Sequence, residues 1–289
     1  MARLTDAQIE SFQQDGAIVV ENAVSQNTLS ALKTVFAGWV EESRQHTQAY
    51  GQICDGRPRF DVERDHSMDK PALRRVASPN DISPEFAEAA FNSAVADMAA
   101  DLIGPDVRFH HAKVNSKLPH STTVVKWHQD FPFDPHSNDD TLTALLFLDD
   151  VTPENGPLMI APGSHLGPLH SLWQDGVFTG AVAAPIAEGF ENSARACFGP
   201  AGSVCLMHSR VAHASSASNS DAPRTLFIIT YAAADAARLS PVAVPSPDCG
   251  RIVRGTEPGR IRSIPFDIEM PEIPKGASFF EQQASQKTS

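Results

Sequence analysis

The chain has 289 residues, a length that suits one large domain or a domain with extensions. Its formal net charge of −12 argues against a nucleic-acid partner, because such a partner requires a basic surface. The N-terminus lacks the apolar core of a signal peptide, and no apolar run reaches membrane-spanning length. The four cysteines form no CxxC pair, so we expect reduced thiols and a cytoplasmic location.

The first region, 1–105, is predicted to be mainly helical, with one loop at the mouth of a site. Thr5 begins a capping box and a short helix, and a strand is predicted at 17–20. Ser25 is a candidate N-cap of a second helix, whose apolar residues follow helical spacing as far as Arg44. We expect these helices to support one face of a β-structure.

The stretch 47–84 is dense in charged residues, Gly and Pro, and its apolar periodicity is weak. Such a stretch in a compact domain is often a functional loop, so we expect it near the site. Its arginines could meet an acidic substrate group, although solvated local ion pairs are the commoner arrangement. They are Arg57, Arg59, Arg64, Arg74 and Arg75. One further helix is predicted from Pro84 to Ile103.

Residues 107–117 predict a strand whose alternate side chains face one side. Those sharing a face are His111, Lys113, Asn115 and Lys117. We interpret His110 and His111 as wall residues rather than metal ligands. A polar turn at 134–140 predicts that His136 is exposed, and the apolar strand after it directs Thr143 toward the same interior.

A histidine and an aspartate lie two residues apart after the β-branched run 122–125. On a strand, residues i and i+2 point to the same face, so His128 and Asp130 offer an imidazole nitrogen and a carboxylate oxygen to one point. Two histidines and one carboxylate, with other positions open, suit non-haem Fe(II) oxygenases. An isolated His-x-Asp pair is common by chance, so a second histidine is required.

The second histidine is predicted near the strand 203–207, which leads to His208 and then to His213. Arg224 follows eleven residues after His213, at the start of an apolar run. An arginine directed into the same cavity presents a planar fork of N–H donors to a carboxylate. That is what the distal end of a 2-oxoglutarate cosubstrate requires.

Several motifs, in this order and spacing, resemble the phytanoyl-CoA dioxygenase family. They lie at 127–130, 145–150, 154–158 and 162–165, followed by His213 with Arg224. The resemblance extends from about Leu4 to about Tyr231. It implies a mostly β fold with flanking helices, built on a double-stranded β-helix, which is a jelly-roll, cupin-like core.

We expect a single oxygenase domain over 1–289, because the residues after Ala232 have too little periodicity to form a second domain. We expect a helical buttress and mouth loop in 1–105, the β-helix core in 106–232, and a proline-rich C-terminal arm in 233–289. The arm either wraps the barrel or contacts a neighbouring subunit, which would give a homo-oligomer. No membrane or nucleic-acid partner is expected.

The family spacing also implies a ligand set. Fe(II) would be held by His128, Asp130 and His213, and His213 fits this spacing better than His208 does. 2-Oxoglutarate would pair with Arg224 through its C5 carboxylate. Further cosubstrate contacts are expected from Asn115, Ser215 and Thr143.

The implied activity is hydroxylation of an unactivated C–H bond of a small molecule, with O2 consumed and succinate and CO2 released. The same iron centre also serves desaturation, ring formation and epimerisation. Two alternatives from other classes are a non-catalytic barrel that binds a small molecule, and a hydrolase or isomerase that uses Zn(II). Arg224 has no obvious purpose in the second of these.

Overall fold

The computed structural model describes residues 3–272 of the protein. Its helices are α1 (Asp6–Asp15), α2 (Gln26–Ser43), α3 (Pro84–Phe91), α4 (Ala94–Ile103) and α5 (Ala184–Glu191). Its first strands are β1 (Ala17–Val20), β2 (Phe60–Val62), β3 (Leu73–Ala77), β4 (Val107–Lys117), β5 (Val125–His128), β6 (Thr141–Phe147) and β7 (Leu158–Ile160). The later strands are β8 (Trp173–Gln174), β9 (Val177–Phe178), β10 (Arg195–Cys197), β11 (Val204–His208), β12 (His213–Ser215), β13 (Arg224–Ala233) and β14 (Ile252–Arg254).

Two antiparallel sheets carry the fold. The large sheet has the order β1-β11-β6-β13-β4-β3-β2, with β14 added beside β4. The small sheet has the order β10-β7-β12-β5, and β8 and β9 form a separate hairpin. Strands β4 to β7 and β10 to β13 divide equally between the two sheets, four in each. This is the double-stranded β-helix expected from the resemblance, and the predicted mostly β fold with flanking helices is confirmed.

The two faces of the large sheet differ in chemistry. On β13, Phe227 and Ile229 belong to the main apolar cluster, which also contains helical residues such as Phe86. Their neighbours Leu226 and Ile228 belong to a second cluster between the sheets. Because side chains alternate along a strand, the outward face packs on the helices while the inward face remains available for a cavity.

The N-terminal helices begin where the sequence predicts. The Thr5 side chain accepts a hydrogen bond from the Gln8 backbone N–H, and the Gln8 side chain completes the capping box. Ser25 caps α2 in the same way through the Thr28 N–H. Buried positions of α2, among them Leu32, then pack into the main cluster against the sheet.

The helix predicted from Pro84 to Ile103 is wrong as one element, because the structure has two. Helix α3 ends at the C-cap Asn92, and Ser93 adopts an extended conformation and caps α4 through the Val95 N–H. A serine side chain that accepts from a backbone N–H favours a new helix start over continuation. Apolar periodicity alone did not reveal this break.

The stretch 47–84 is more regular than predicted, since β2 and β3 extend the large sheet there. Three of its five arginines, Arg57, Arg59 and Arg74, form the local ion pairs that the sequence favours. Arg74 Nε donates to Asp61 Oδ2 at 2.7 Å, and Arg57 Nη2 lies 2.7 Å from Asp55 Oδ2. The stretch therefore forms an ordered rim on one edge of the sheet.

The C-terminal arm packs on the barrel over the residues described. Strand β14 pairs with β4, and Arg254 donates to Asp97 on α4 at 2.5 Å. Farther along, the Ile264 N–H donates to the Ser137 carbonyl at 2.9 Å. The last part of the predicted arm, 273–289, lies outside the described residues. Across residues 3–272, no helix combines the length and apolar character that a membrane crossing requires.

Candidate metal centre and cosubstrate cavity

The small sheet places the two candidate histidine ligands side by side. His128 ends β5 and His213 begins β12, and the two residues are direct partners in the β5–β12 ladder. Their ring centroids lie 4.1 Å apart. Residues that face each other across an antiparallel ladder project to the same side, so the pairing brings together histidines distant in sequence.

Asp130 lies beside both rings. Its Oδ1 is 3.6 Å from His128 Nε2 and 3.5 Å from His213 Nε2. Thr143, on the large sheet, donates from its hydroxyl to the other carboxylate oxygen, Oδ2, at 2.8 Å. The three groups therefore present two nitrogens and one oxygen to a common point, and Thr143 fixes the carboxylate from behind.

The hydrogen bonds of the two rings turn both Nε2 atoms toward Asp130. His128 Nδ1 donates to the Lys126 carbonyl at 2.7 Å, and His213 Nδ1 donates to the Val211 carbonyl at 3.0 Å. A carbonyl only accepts, so the proton stays on Nδ1 and the lone pair on Nε2 faces Asp130. Ligating histidines in proteins are commonly oriented by such a second hydrogen bond.

The electrostatics also suit a cation. Burial and the neighbouring His128 lower the pKa of His213 to about 4, so its ring is neutral at pH 7. Burial alone would raise the pKa of Asp130, but His213 and His128 outweigh it and lower that pKa. A neutral His213 imidazole beside an ionised Asp130 carboxylate matches the protonation state that a divalent metal requires.

A cavity of about 730 Å³, including its mouth, opens beside these three residues. Apolar side chains form much of its wall, among them Leu145, Leu158, Met207, Leu226 and Ile228. The predicted cosubstrate residues Asn115, Thr143, Ser215 and Arg224 also line it. The structure therefore brings all seven predicted site residues to one cavity.

Within residues 3–272, two buried polar atoms of this cavity make no hydrogen bond to the protein. Arg224 is 5% exposed, and its Nε has no hydrogen-bond partner among residues 3–272. The Asn115 Oδ1 is also unpaired within the described chain. An unsatisfied buried donor costs about 1–3 kcal/mol, more when it is charged. The donor set thus fits Fe(II), and the guanidinium fits the distal carboxylate of 2-oxoglutarate.

Comparison with known proteins decides the family. The family model described as phytanoyl-CoA dioxygenase (PhyH) matches residues 12–226. The chain belongs to this family. As a member it is a 2-oxoglutarate-dependent non-haem iron dioxygenase, with Fe(II) as cofactor and 2-oxoglutarate and O2 as cosubstrates. The family and enzyme class expected from the sequence are confirmed.

The chain is similar to a probable alpha-ketoglutarate-dependent hypophosphite dioxygenase of Stutzerimonas stutzeri, with 34% identity over 61% of this chain and 63% of that protein. It spans less than two thirds of that relative's length. It is also similar to an L-proline trans-4-hydroxylase of Streptomyces griseoviridis, with 28% identity over 80% of this chain and 87% of the relative. Among solved structures, EctD from S. alaskensis with bound Fe superposes with a TM-score of 0.69 at 23% identity, covering 93% of this chain and 89% of that one. That likeness supports the fold.

Two lysines that we did not predict as site residues share the cavity of this family member. The Lys117 Nζ donates to the Ser215 Oγ at 2.9 Å and to the Ser216 carbonyl. Burial and nearby Arg224 lower the pKa of Lys117 to about 7. Burial and Arg75 lower the pKa of Lys113 to about 8. The alternation along β4 placed both lysines on the inner face, and that signal could have identified them.

Neither His208, the alternative metal ligand, nor Arg75, a possible substrate contact, lines the cavity of the metal centre. His208 Nδ1 accepts a hydrogen bond from the Arg210 N–H at 3.1 Å, and its ring packs near Phe12 and His165. Arg75 lies opposite Asn115 in the β3–β4 ladder and is buried. Its Nε and Nη1 have no hydrogen-bond partner in the part of the chain that the structure describes.

Proposed function

We propose that the protein hydroxylates an unactivated C–H bond of a small polar molecule. One molecule each of 2-oxoglutarate and O2 would be consumed, and succinate and CO2 would leave with the alcohol. One observation carries this proposal: two imidazole nitrogens and a carboxylate oxygen converge on a cavity that also contains a buried, partly unpaired guanidinium. A silent barrel has no need of this combination, and a zinc hydrolase gives Arg224 no task.

In this proposal His128, Asp130 and His213 hold Fe(II). When bound with 2-oxoglutarate, the metal activates O2 so that one oxygen atom enters a substrate C–H bond. The lone pairs of the histidine Nε2 atoms are already directed inward by the carbonyl groups behind the rings. Preorganised ligands of this kind need no rearrangement when the ion arrives.

Arg224 would bind the C5 carboxylate of 2-oxoglutarate. Its side chain is buried, so a charge-assisted bidentate pair would form away from bulk water, where it is strongest. We propose that the Asn115 amide and the Ser215 hydroxyl give further polar contacts to the cosubstrate. Lys117 already donates to Ser215 and so holds that hydroxyl in place.

The Thr143 side chain contacts a metal-binding residue, which the sequence did not predict. Its hydroxyl donates to Asp130 Oδ2, so its proton is committed to the metal-binding carboxylate. We propose that its main task is to orient Asp130, leaving Oδ1 toward the histidines. The predicted direct contact between Thr143 and the cosubstrate stays a prediction.

The substrate would be small, polar and anionic. The relatives named above act on hypophosphite and on L-proline according to their names, and both are small polar molecules. In this chain, Lys113 and Lys117 line the cavity in addition to Arg224, while Arg74 at its edge is paired with Asp61 and Glu63. This positive charge exceeds what one cosubstrate carboxylate needs, which favours a substrate that carries a carboxylate or another oxyanion.

Oxygen uptake and succinate formation test the proposal. Purified protein is supplied with Fe(II) and 2-oxoglutarate, and small oxyanions and amino acids are added one by one. We expect one of them to raise succinate release well above the substrate-free rate and to gain an oxygen atom by mass spectrometry. A chain that never forms succinate, with or without these compounds, contradicts the proposal.

Three further expectations concern the domain organisation, the location and the oligomeric state of the protein. We propose that the chain acts as one oxygenase domain, because helices, barrel and arm share contacts over residues 3–272. A cytoplasmic location is supported by the free thiols, of which Cys54 is exposed. Homo-oligomer formation through the arm stays a prediction, and analytical ultracentrifugation tests it.

A further inference from the structure

We propose that His110, His111 and Asp134 form a second metal site, which binds a divalent first-row ion such as Zn(II). The site shares no residue with the iron centre. Its three ligand groups each have one atom within 4.8 Å of the others. This proposal is independent of the reaction proposed above.

A β-bulge brings the two adjacent histidines to the same side of β4. Phe109 and Ala112 both belong to the outward apolar cluster, although strict alternation would place them on opposite faces. The ladder with β13 shifts register here, with Thr230 opposite His111 and Tyr231 opposite Phe109. The extra residue turns both imidazoles inward, as bulges commonly do near functional sites. Neighbouring histidines therefore converge instead of diverging.

Each ring presents one partnered and one unpartnered nitrogen. His110 Nδ1 lies 3.8 Å from the Cys249 Sγ, and His111 Nε2 lies 3.5 Å from the Thr230 Oγ1. The other two nitrogens, His110 Nε2 and His111 Nδ1, are buried and make no hydrogen bond within residues 3–272. Both rings are at least nine-tenths buried, at 3% and 4% exposed.

Those two unpartnered nitrogens both face the Asp134 carboxylate. His110 Nε2 lies 3.3 Å from Oδ1, and His111 Nδ1 lies 4.0 Å from Oδ2. The two nitrogens thus lie close to the carboxylate oxygens, but neither nitrogen makes a hydrogen bond with good geometry to them. Two ligands of one ion are spaced in the same way, as His128, Asp130 and His213 illustrate at 3.5 and 3.6 Å.

The surroundings hold Asp134 at this point. Its backbone N–H donates to the Asp130 carbonyl at 3.4 Å, and its carbonyl accepts from His136 Nδ1 at 2.8 Å. The His136 ring then packs edge-on against His110, with centroids 4.9 Å apart. The prediction that His136 is exposed is therefore wrong, because it is 3% exposed and forms one wall of the cluster.

The donor chemistry selects the ion. Two imidazoles and one carboxylate suit Zn(II) and its first-row neighbours better than Ca(II) or Mg(II), which prefer oxygen ligands. Burial lowers the pKa of His111 to about 3, so this ring is neutral and its lone pair available. Burial would lower the pKa of His110, but Asp134 outweighs it and raises that pKa to about 9, so the competing arrangement is an imidazolium of His110 paired with Asp134. That arrangement leaves His111 Nδ1 buried without a partner, whereas an ion satisfies all three groups.

Such an ion would tie two parts of the barrel together. His110 and His111 belong to β4 of the large sheet, whereas Asp134 lies in the turn that follows Asp130. Binding to the folded state alone raises stability in proportion to the logarithm of the free ion concentration. We therefore expect Zn(II) to raise the melting temperature through this second site.

The test removes the iron centre first. In the triple variant His128→Ala, Asp130→Ala, His213→Ala, any remaining site must lie elsewhere. Zn(II) alone is the probe, and bound metal is counted by mass spectrometry after gel filtration, with melting curves recorded in parallel. We expect about one ion per chain and a higher melting temperature with Zn(II).

Two further variants in the same background locate the ion. Asp134→Asn keeps the shape of the side chain but removes its charge, and His111→Asn removes one imidazole. We expect each to lose the bound ion and the melting shift. The matched control is His120→Asn, at an exposed histidine paired with Asp221 on the surface, and it should retain both. Should either ligand variant fail to fold, the other decides the question. Absence of bound Zn(II) in the triple variant, or its retention in the folded ligand variants, would overturn the proposal.

Discussion

The barrel contains two His–His–Asp clusters that are alike in composition but differ in setting. The iron cluster lies across two strands of the small sheet, and its Asp130 side chain is 30% exposed toward a cavity. The second cluster combines one bulged strand with a turn, and its Asp134 side chain is only 13% exposed. Only the first has a buried arginine with an unpaired donor in the same cavity, among the residues that the structure describes.

This difference shows what makes a metal cluster a reaction centre. Convergent ligand atoms are sufficient to hold an ion, but chemistry on a substrate also needs open space and a place for the cosubstrate. The first cluster has both, whereas His111 and Asp134 of the second cluster line neither that cavity nor the groove beside His110. We therefore assign oxidation to the first and a structural ion to the second.

Among the substitutions that test this comparison, Asp130→Ala should cause the largest loss of activity. Without the carboxylate, iron binding weakens and substrate-dependent succinate formation should fall below detection, because the metal loses its one anionic ligand. The fold should persist, since Asp130 supports no part of the apolar core. Oxygen uptake and far-UV circular dichroism measure the two effects.

The matched control for this variant is Asp221→Ala, which removes an exposed carboxylate paired with His120 on the surface. It should retain the activity of the unmodified protein. Full activity in Asp130→Ala would show that the ligand set is misassigned.

Arg224→Ala should have the second-largest effect, a rise in the KM for 2-oxoglutarate. Hydrogen bonds to charged groups contribute about 1.5–3 kcal/mol, so the KM for 2-oxoglutarate should rise by roughly 10- to 100-fold. Arg224→Lys keeps the charge but loses the planar fork, and an intermediate KM is expected. Steady-state kinetics with varied 2-oxoglutarate measure this. An unchanged KM in both variants would place the cosubstrate elsewhere.

The iron cluster could be predicted from the sequence because its signals are local or have regular spacing. His128 and Asp130 are two apart, and the distance from His213 to Arg224 matches the family. Strand β6, and β4 from His111 onward, follow simple alternation, which placed Asn115 and Thr143 in the cavity. Which atom each of them contacts could not be predicted, because that depends on the packing of two sheets.

Thr143→Val tests the hydroxyl group behind Asp130. The substitution keeps the volume but removes the donor to Oδ2, and loss of such an outer hydrogen bond typically lowers metal affinity or activity by about 10- to 100-fold. Thr143→Ser keeps the hydroxyl and should remain close to the unmodified protein. Fe(II) titration followed by turnover compares the two. Equal behaviour of the serine and valine variants would contradict an orienting role.

Lys117→Met should give the smallest effect on turnover, through loss of the contact to Ser215, together with a change in stability that depends on pH. The pKa of Lys117 is about 7 in the fold against 10.5 for an ordinary lysine, so its charge is disfavoured in the folded state. This cost is fully present below about pH 7 and disappears as the pH rises toward 10.5. The variant without cofactors should therefore gain stability at pH 6, by a few kcal/mol, and much less near pH 10.

Denaturant unfolding of both proteins at several pH values measures this difference. If the variant gains the same stability at every pH, packing and not the buried charge causes the difference in stability between the two proteins. If 2-oxoglutarate reduces the stability gain of the variant at pH 6, the bound anion neutralises the positive charge of the cavity.

The features that the sequence did not reveal have one physical cause. The break between α3 and α4 depends on a single serine cap, and the second cluster depends on one extra residue in β4. Both are local departures from a regular period, and periodicity averages over them. His110 and His111 looked like ordinary wall residues because adjacent strand positions normally face opposite sides.

Anomalous scattering at the iron edge, from crystals grown anaerobically with Fe(II) and 2-oxoglutarate, tests the central assignment most directly. We predict a peak between the Nε2 atoms of His128 and His213 and an oxygen of Asp130, with the cosubstrate reaching Arg224. A strong iron peak at any other place, with none between those three side chains, would contradict it.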